Sequence, residues 1–457
     1  MSINKIAAIL TQAEIDLAQY CLTYAQQAGA QKVRITLSKS LMNLIGLLNG
    51  EVDKTAHALD RSLQLQLFVE GRYGAFSTNK LEKEGLETFI REAIDTVKMF
   101  QEDTCRDLPA PERQVKNART GRELGLYDPA YDSLTVEQRR ELALASCHSD
   151  ASLCHSDRSR GISLLAEEGE YSDSVFDTLT IDSQGLYARH TETSFEMGYE
   201  TTVEDARGNH FSSYWWDAAP LLKDLKWKDC AAIAYERATA QVGPQDLEGG
   251  KYTVVVDTEC ASKLLTPVLN ALGGFSLQQK NSFLMDSLGK RMFPETLTIL
   301  DQPCSPGETG CRLFDSEGVA TREMPIVDKG VVKTYFLNSY MAAKMEMTPT
   351  IEDATRVKVL PVGGHKTLED LLSATGDCIL VTGFNGGNSN PATGNFSYGI
   401  EGFLVRGGKK VHPVRELLIT GNFLELWNNL VATADDARPC LSKLIPSLCF
   451  KNVDVSA

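Results

Sequence analysis

Apolar residues follow two rhythms along this chain. Ile15, Ala18, Leu22 and Ala25 recur at three- and four-residue steps, the spacing that lines one face of a helix. "TQAE" (Thr11 to Glu14) precedes them as a capping box, and Gly29 supplies a stop. Residues 81–100 repeat the rhythm with Ile90, Ala93, Val97 and Phe100. Between these helices the period falls to two. "KVRITLS" reads as a strand, and "SLQLQLFVEGRYGAFST" as a hairpin turning at Gly71 to Gly74.

Residues 101–131 are a connector rich in proline, glycine and charge. A helix near 135–150 comes next, then strand-like segments through "SVFDTLTIDSQGLYARHTETSFEMGYETTVEDARGNHF". A short helical stretch around 229–241 and the loop "GPQDLEGG" mark a boundary. Beyond it, "YTVVVD", "TLTIL", "MPIVDKGVVKTYFL", "CILVTGF", "EGFLVRGGKKV" and "RELLITGN" are mostly strands, with helices near 259–272 and 423–431. Strands and helices come in runs and do not alternate as βαβ units, so the class is α+β. The expected layout is an N-terminal α+β domain, 1–225, and a sheet-rich, mainly antiparallel C-terminal domain, 226–457.

Lys and Arg number 46 against 61 Asp and Glu, a formal charge of −15. Such a surface repels phosphate backbones, so direct nucleic-acid binding is not expected. No stretch approaches the roughly 20 apolar residues of a membrane span, and the first residues lack the layout of an export signal. With eleven scattered cysteines and no such signal, reduced thiols in a cytoplasm are the simpler expectation.

Several chemistries have no motif to carry them. None of the seven histidines precedes Glu, so H-E-x-x-H is absent; G-x-S-x-G and the phosphate-binding glycine loops are absent too. Cys147-His148 and Cys154-His155 repeat the tetrad C-H-S-D after seven residues. On a straight helix that step spans about 10.5 Å, too far for both pairs to grip one ion, so a polar helix end or loop is the preferred reading. "FNGGNSNPATGNFSYGIEGFLVRGGKK" concentrates glycine, including Gly394, Gly399 and Gly402. It is either a glycine-rich hairpin or an edge to which an extended peptide adds as a strand.

An ordered series of segments resembles the TldD/PmbA family, first described as modulators of DNA gyrase and now regarded as peptidases. The segments include "LFVEGRYGAFST", "LYDPAY", "VVVDTECASKLLTPVLNALGG", "SFLMDSLGKRMF", "FDSEGVATREMPIVDKGVV", "YFLNSYMAAKM", "NPATGNFSYGIEGFLV" and "HPVRELLITGN". The resemblance implies two branches. TldD-type chains carry H-E-x-x-x-H on the helix after the central strand, with a cysteine ligand near the C-terminus; PmbA/TldE-type chains lack the motif. Here "LLTPVLNA" sets Thr266 and Ala271 at the histidine positions and Pro267 at the glutamate position. Neither Thr nor Ala replaces an imidazole, and Pro accepts no proton. Pro267 either kinks this helix or starts it with Thr266 as cap. Cys440 and Cys449 are present near the C-terminus, but the Cys-Gly-Lys context of the TldD ligand is not.

The resemblance therefore implies a cytoplasmic, non-zinc subunit that works with a TldD-type metallopeptidase on extended peptides and unfolded proteins. It implies no catalytic residue, metal or cofactor in this chain, zinc in the partner, and a possible homodimer in isolation. Peptide contacts are expected at Asn390, Thr393, Gly394, Asn395, Phe396, Ser397 and Gly399. The alternatives are a non-proteolytic binding protein that regulates gyrase or a toxin, and an autonomous hydrolase with an unrecognised nucleophile.

Overall fold

A computed structural model describes residues 7–145 and 161–457. Its contacts divide the chain into two compact units: Met1–Arg237 with Cys304–Thr321, and Ala238–Pro303 with Arg322–Ala457.

The first unit opens with α1 (Gln12–Gln27), and its cap is the expected capping box. The Thr11 hydroxyl accepts from the Glu14 N–H at 3.3 Å, and the Glu14 carboxylate accepts from the Thr11 N–H at 2.8 Å. There follow β1 (Lys32–Leu48), β2 (Glu51–Val69), β3 (Arg72–Thr78), α2 (Lys83–Val97), α3 (Val136–Ala145), β4 (Ser163–Asp182), β5 (Tyr187–Glu204), β6 (His210–Ala219) and α4 (Cys230–Ala240). The strands form one antiparallel sheet in the order β3-β2-β1-β4-β5-β6. Odd-numbered β1 residues Val33, Ile35, Leu37, Leu41, Ile45 and Leu47 are buried, as period-two patterning requires of a sheet covered on one face. Residues of α1 and α2 share a core with one end of that face, and residues of α3 and α4 share a core with the other.

Between those two apolar patches the same face carries paired charge. Asp177 is fully buried and accepts from Arg189, from the Thr191 hydroxyl and from the Leu10 N–H. Lys39, only 3% exposed, reaches the Glu14 carboxylate at 3.1 Å and the Ile9 carbonyl at 3.1 Å. Burial pushes the Glu14 carboxyl up, but the bonds from Thr11 and Lys39 outweigh it and hold the carboxyl below its ordinary value of 4.5. A depressed carboxyl stabilises the fold above its unfolded value, and that contribution is lost as pH falls through the folded value. Glu14→Gln should therefore cost about 1–3 kcal/mol at neutral pH. In thermal melts its deficit against the unaltered chain should shrink below about pH 4.5.

The second unit contains β7 (Gly250–Val256), α5 (Thr258–Ala271), α6 (Gly274–Gln278), β8 (Ile299–Asp301), β9 (Met324–Asp328), β10 (Val331–Val332), α7 (Ser339–Met345), β11 (Val357–Val359), α8 (Leu368–Thr375), β12 (Cys378–Ser389), β13 (Asn395–Arg406), β14 (Lys409–Asn422), α9 (Phe423–Asn428), β15 (Leu430–Thr433) and β16 (Leu448–Ser456). Its larger sheet runs β14-β13-β12-β7-β16-β15. A further pairing of β14 with β16 closes β7, β12, β13, β14 and β16 into a barrel. All of these pairs are antiparallel except β7–β12. The fold class is α+β followed by a sheet-rich, mainly antiparallel region, as the patterning implies. Inner-face residues Val254, Val256, Ile400, Ile419 and Phe450 share one core with α5; Val255, Leu380 and Cys449 lie in another with α8. Among the described residues, no helix is long and apolar enough to cross a membrane.

Candidate functional site

Helix α5 follows β7 directly and carries the three positions where the resemblance places metal chemistry. Its N-cap is Asp257, whose carboxylate accepts from the Glu259 N–H at 3.0 Å, so the helix starts at Thr258, eight residues before Thr266. Pro267 thus lies inside the helix and does not begin it, and Thr266 is not its cap. Proline removes the donor that the Lys263 carbonyl would otherwise meet. The adjacent Leu264 carbonyl accepts from Trp427 Nε1 at 3.2 Å. Trp427 is fully buried, edge-on to Phe450, and so ties α5 to the barrel core.

The C-terminal segment holds the start of the same helix. Ser447 Oγ accepts from the Thr258 N–H, the Thr258 hydroxyl donates to the Ile445 carbonyl, and Asp436 accepts from both the N–H and the hydroxyl of Ser447. Arg438 pairs with Glu259 at 2.7 Å. Cys440 in this segment is buried. Cys449 belongs to the α8-facing core, whereas its neighbours Leu448 and Phe450 belong to the α5-facing core. Burial pushes its thiol up, which disfavours the thiolate that binds metals.

Thr266 and Ala271 part company in space. Five residues on a regular helix turn through about 140°. Thr266 and Pro267 line an open cleft of about 420 Å³ together with Cys260, Ser262, Lys263, Phe384 and Tyr398. Ala271 is 2% exposed and packs in the barrel core. The donor set does not suit a zinc ion: one hydroxyl, one proline ring and one methyl, on diverging faces, with an ammonium one turn before the hydroxyl. Among the described residues, no group of three or more His, Cys, Asp or Glu is placed to hold a metal. The C-H-S-D repeat lies outside the described residues.

The glycine-rich stretch folds into β12, a tight turn and β13. Asn390 Oδ1 accepts from the Ala392 and Thr393 N–H groups, and Asn422 Nδ2 donates to the Thr393 carbonyl and to Asn395 Oδ1. Asn390, Thr393, Asn395 and Ser397 are exposed; Gly394, Phe396 and Gly399 are buried. Phe396 stacks on Phe423 with centroids 4.8 Å apart. Gly394 has φ +78°, which favours glycine. A Cβ on Gly399 would stand 2.3 Å from the Asn385 carbonyl oxygen, so its bareness serves the close approach of β12. β13 is hydrogen-bonded to β12 on one side and to β14 on the other, an interior strand and not an edge.

The open edge lies next door. β7 pairs only with Ile379–Val381 of β12, and among the described residues no strand covers that side of Thr382–Ser389. This stretch carries two bulges against β13, at Val381/Gly383 and Phe384/Gly387. Its Phe384 shares the cleft with Thr266 and Pro267. Lys263, Phe384 and Tyr398 escaped sequence reasoning; the crowded glycines of "FNGGN" were the available signal. A second cleft, of about 600 Å³, is lined by Asn270, Phe275, Asn338, Asp353 and Pro391, the last of these from the β12–β13 turn.

A helix packed on a closed sheet, with an open strand edge and a cleft beside it, thus carries a hydroxyl, a proline ring and a buried methyl at the three motif positions. Family models for the PmbA/TldA metallopeptidase match in chain order: domain 1 at residues 33–96, the central domain at 130–242 and the C-terminal domain at 249–457. The chain belongs to the PmbA/TldD metallopeptidase family. It is 26% identical to Metalloprotease PmbA of Escherichia coli O157:H7, covering 91% of each chain, and 27% identical to a PmbA homolog of Haemophilus influenzae, covering 94% and 93%. A crystal structure described as a candidate modulator of DNA gyrase from Bacteroides thetaiotaomicron superposes with TM-score 0.91 at 37% identity, covering 98% of this chain and 99% of that one. TldE from Thermococcus kodakarensis shares the fold, with TM-score 0.80 at 18% identity over 96% and 100%.

The burial of Ala271 makes a direct prediction. Ala271→His forces an imidazole into a packed core and should cost about 1–3 kcal/mol. Thr266→His faces open cleft and should stay within about 0.5 kcal/mol of the parent. Denaturant midpoints of the two variants check this. Thr266→His, Pro267→Glu and Ala271→His combined should show no chelator-sensitive peptide cleavage with zinc supplied.

Proposed function

We propose that this chain is the non-zinc subunit of a two-component metallopeptidase. A TldD-type partner supplies the metal, the activated water and the proton-accepting carboxylate, and this chain helps to present extended peptides or unfolded segments. The observation that carries the reading is the split of the motif positions: Thr266 in an open cleft, Pro267 within the helix and Ala271 in the core. The relatives named metalloproteases support proteolysis as the process in which it takes part.

Peptide handling falls to the open edge of β12 and to the exposed turn beside it. An extended segment adding at Thr382–Ser389 gains main-chain hydrogen bonds that depend little on its sequence, which suits a mixed population of unfolded substrates. Asn390, Thr393, Asn395 and Ser397 offer polar side chains along the neighbouring surface. Phe396, Gly394 and Gly399 shape that surface from beneath. We assign the complex to the cytoplasm.

The test is reconstitution. The purified chain alone should lack chelator-sensitive cleavage of an unfolded substrate such as reduced, alkylated lactalbumin. Adding a TldD-type protein from the same cells should produce cleavage and a complex on size-exclusion chromatography. Cleavage by the chain alone that survives chelator, or failure of the two proteins to associate, overturns the reading.

A further inference from the structure

The cleft that replaces the metal position carries an ammonium. Lys263 Nζ lies 4.7 Å from the centroid of the Tyr398 ring. That contact steadies the side chain without neutralising its charge. Among the described residues no carboxylate lies within 4.0 Å of it, although the chain as a whole is strongly acidic. Lys263 is exposed, so its charge is available to a ligand.

Three features converge on this point. Pro267 and Phe384 give the cleft apolar walls, Thr266 adds a hydroxyl, and β12 passes with Thr382–Ser389 uncovered by any described strand on the same side. An extended peptide carries negative charge on its main chain at one place, the C-terminal carboxylate. We infer that this cleft takes the C-terminal end of an extended peptide, with Lys263 as counter-ion to the carboxylate and Pro267 and Phe384 against the last side chain. The inference rests on the peptide-presenting reading above and gives that surface a polarity. Peptides are held by their ends, and product fragments with new carboxylates compete with longer chains for this cleft.

Binding to the isolated chain tests it without a partner. The probes are a fluorescein-labelled octapeptide of alternating alanine and serine with a free carboxyl, its C-terminal amide, and an amidated version with one internal aspartate. Anisotropy titrations at low salt should place the free acid about two- to fivefold tighter than its amide, the size of one exposed charge pair. The preference should fade as salt shortens the screening length. Lys263→Gln should abolish the preference and Lys263→Arg should keep it, both with unchanged melting temperature.

Equal binding of acid and amide, no binding of either, or a preference that survives Lys263→Gln overturns the inference. So does equal affinity for the internal-aspartate amide, which would make the cleft a site for acidic side chains. Cleavage by the reconstituted complex separates the two readings. If the pair cleaves but this chain ignores the carboxylate, only the cleft assignment falls; if the carboxylate preference holds but no active pair forms, only the subunit reading falls.

Discussion

The burial of α5 is the constraint on which the second unit depends. A helix packed on a sheet must present one apolar face to it, and Ala261, Leu264, Leu265, Val268, Leu269 and Ala271 form that face. Its ends and backbone then need polar partners, because an unpaired buried group costs about 1–3 kcal/mol. Asp257, Ser447 and Trp427 supply them. The opposite face is open, and its Cys260, Ser262, Lys263, Thr266 and Pro267 line the cleft.

The three motif positions therefore differ in how tightly packing constrains them. Thr266 and Pro267 lie on the open face, where side chains are replaceable at small cost, whereas the small residue at 271 fits a crowded interior. Proline is tolerated in mid-helix because core packing holds the helix on both sides of the interruption, through Leu264 and Leu265 before it and Val268 and Leu269 after it. The helix runs on from Thr258 to Ala271 with Pro267 inside it.

Local signals in the sequence reached as far as local physics does. The capping box at Thr11, the alternation of β2 and the helix after β7 were all legible, because a cap and a half-buried strand are written in adjacent residues. The resemblance located Thr266, Pro267 and Ala271, but only packing separated one face from the other. The long continuation of β1 and β2 through residues 39–58 was hidden, since much of β2 there faces solvent and carries charge. Strand β16 was missed as well; its barrel-closing contact with β14 joins Leu418–Thr420 to Asp454–Ser456 and leaves no local trace. β13 is interior because β12 and β14 flank it, so the glycine-rich segment could be recognised while its pairing could not.

The open edge of β12 follows from the same geometry. β7 ends at Val256 and the chain turns into α5, so the parallel pairing with β12 stops at Val381. β12 must nevertheless continue, because β13 needs a partner as far as Phe396. Among the described residues, no strand therefore pairs with that side of β12 beyond Val381, at the place where α5 starts. Natural sheets blunt such edges with bulges and with strand-breaking glycine, and Gly383, Gly386 and Gly387 do that here. An edge protected against another copy of the sheet still accepts a single flexible strand. The helix beside it sets what lies next to that edge: an ammonium at Lys263, hydroxyls at Ser262 and Thr266, the Cys260 thiol and the apolar walls of Pro267 and Phe384.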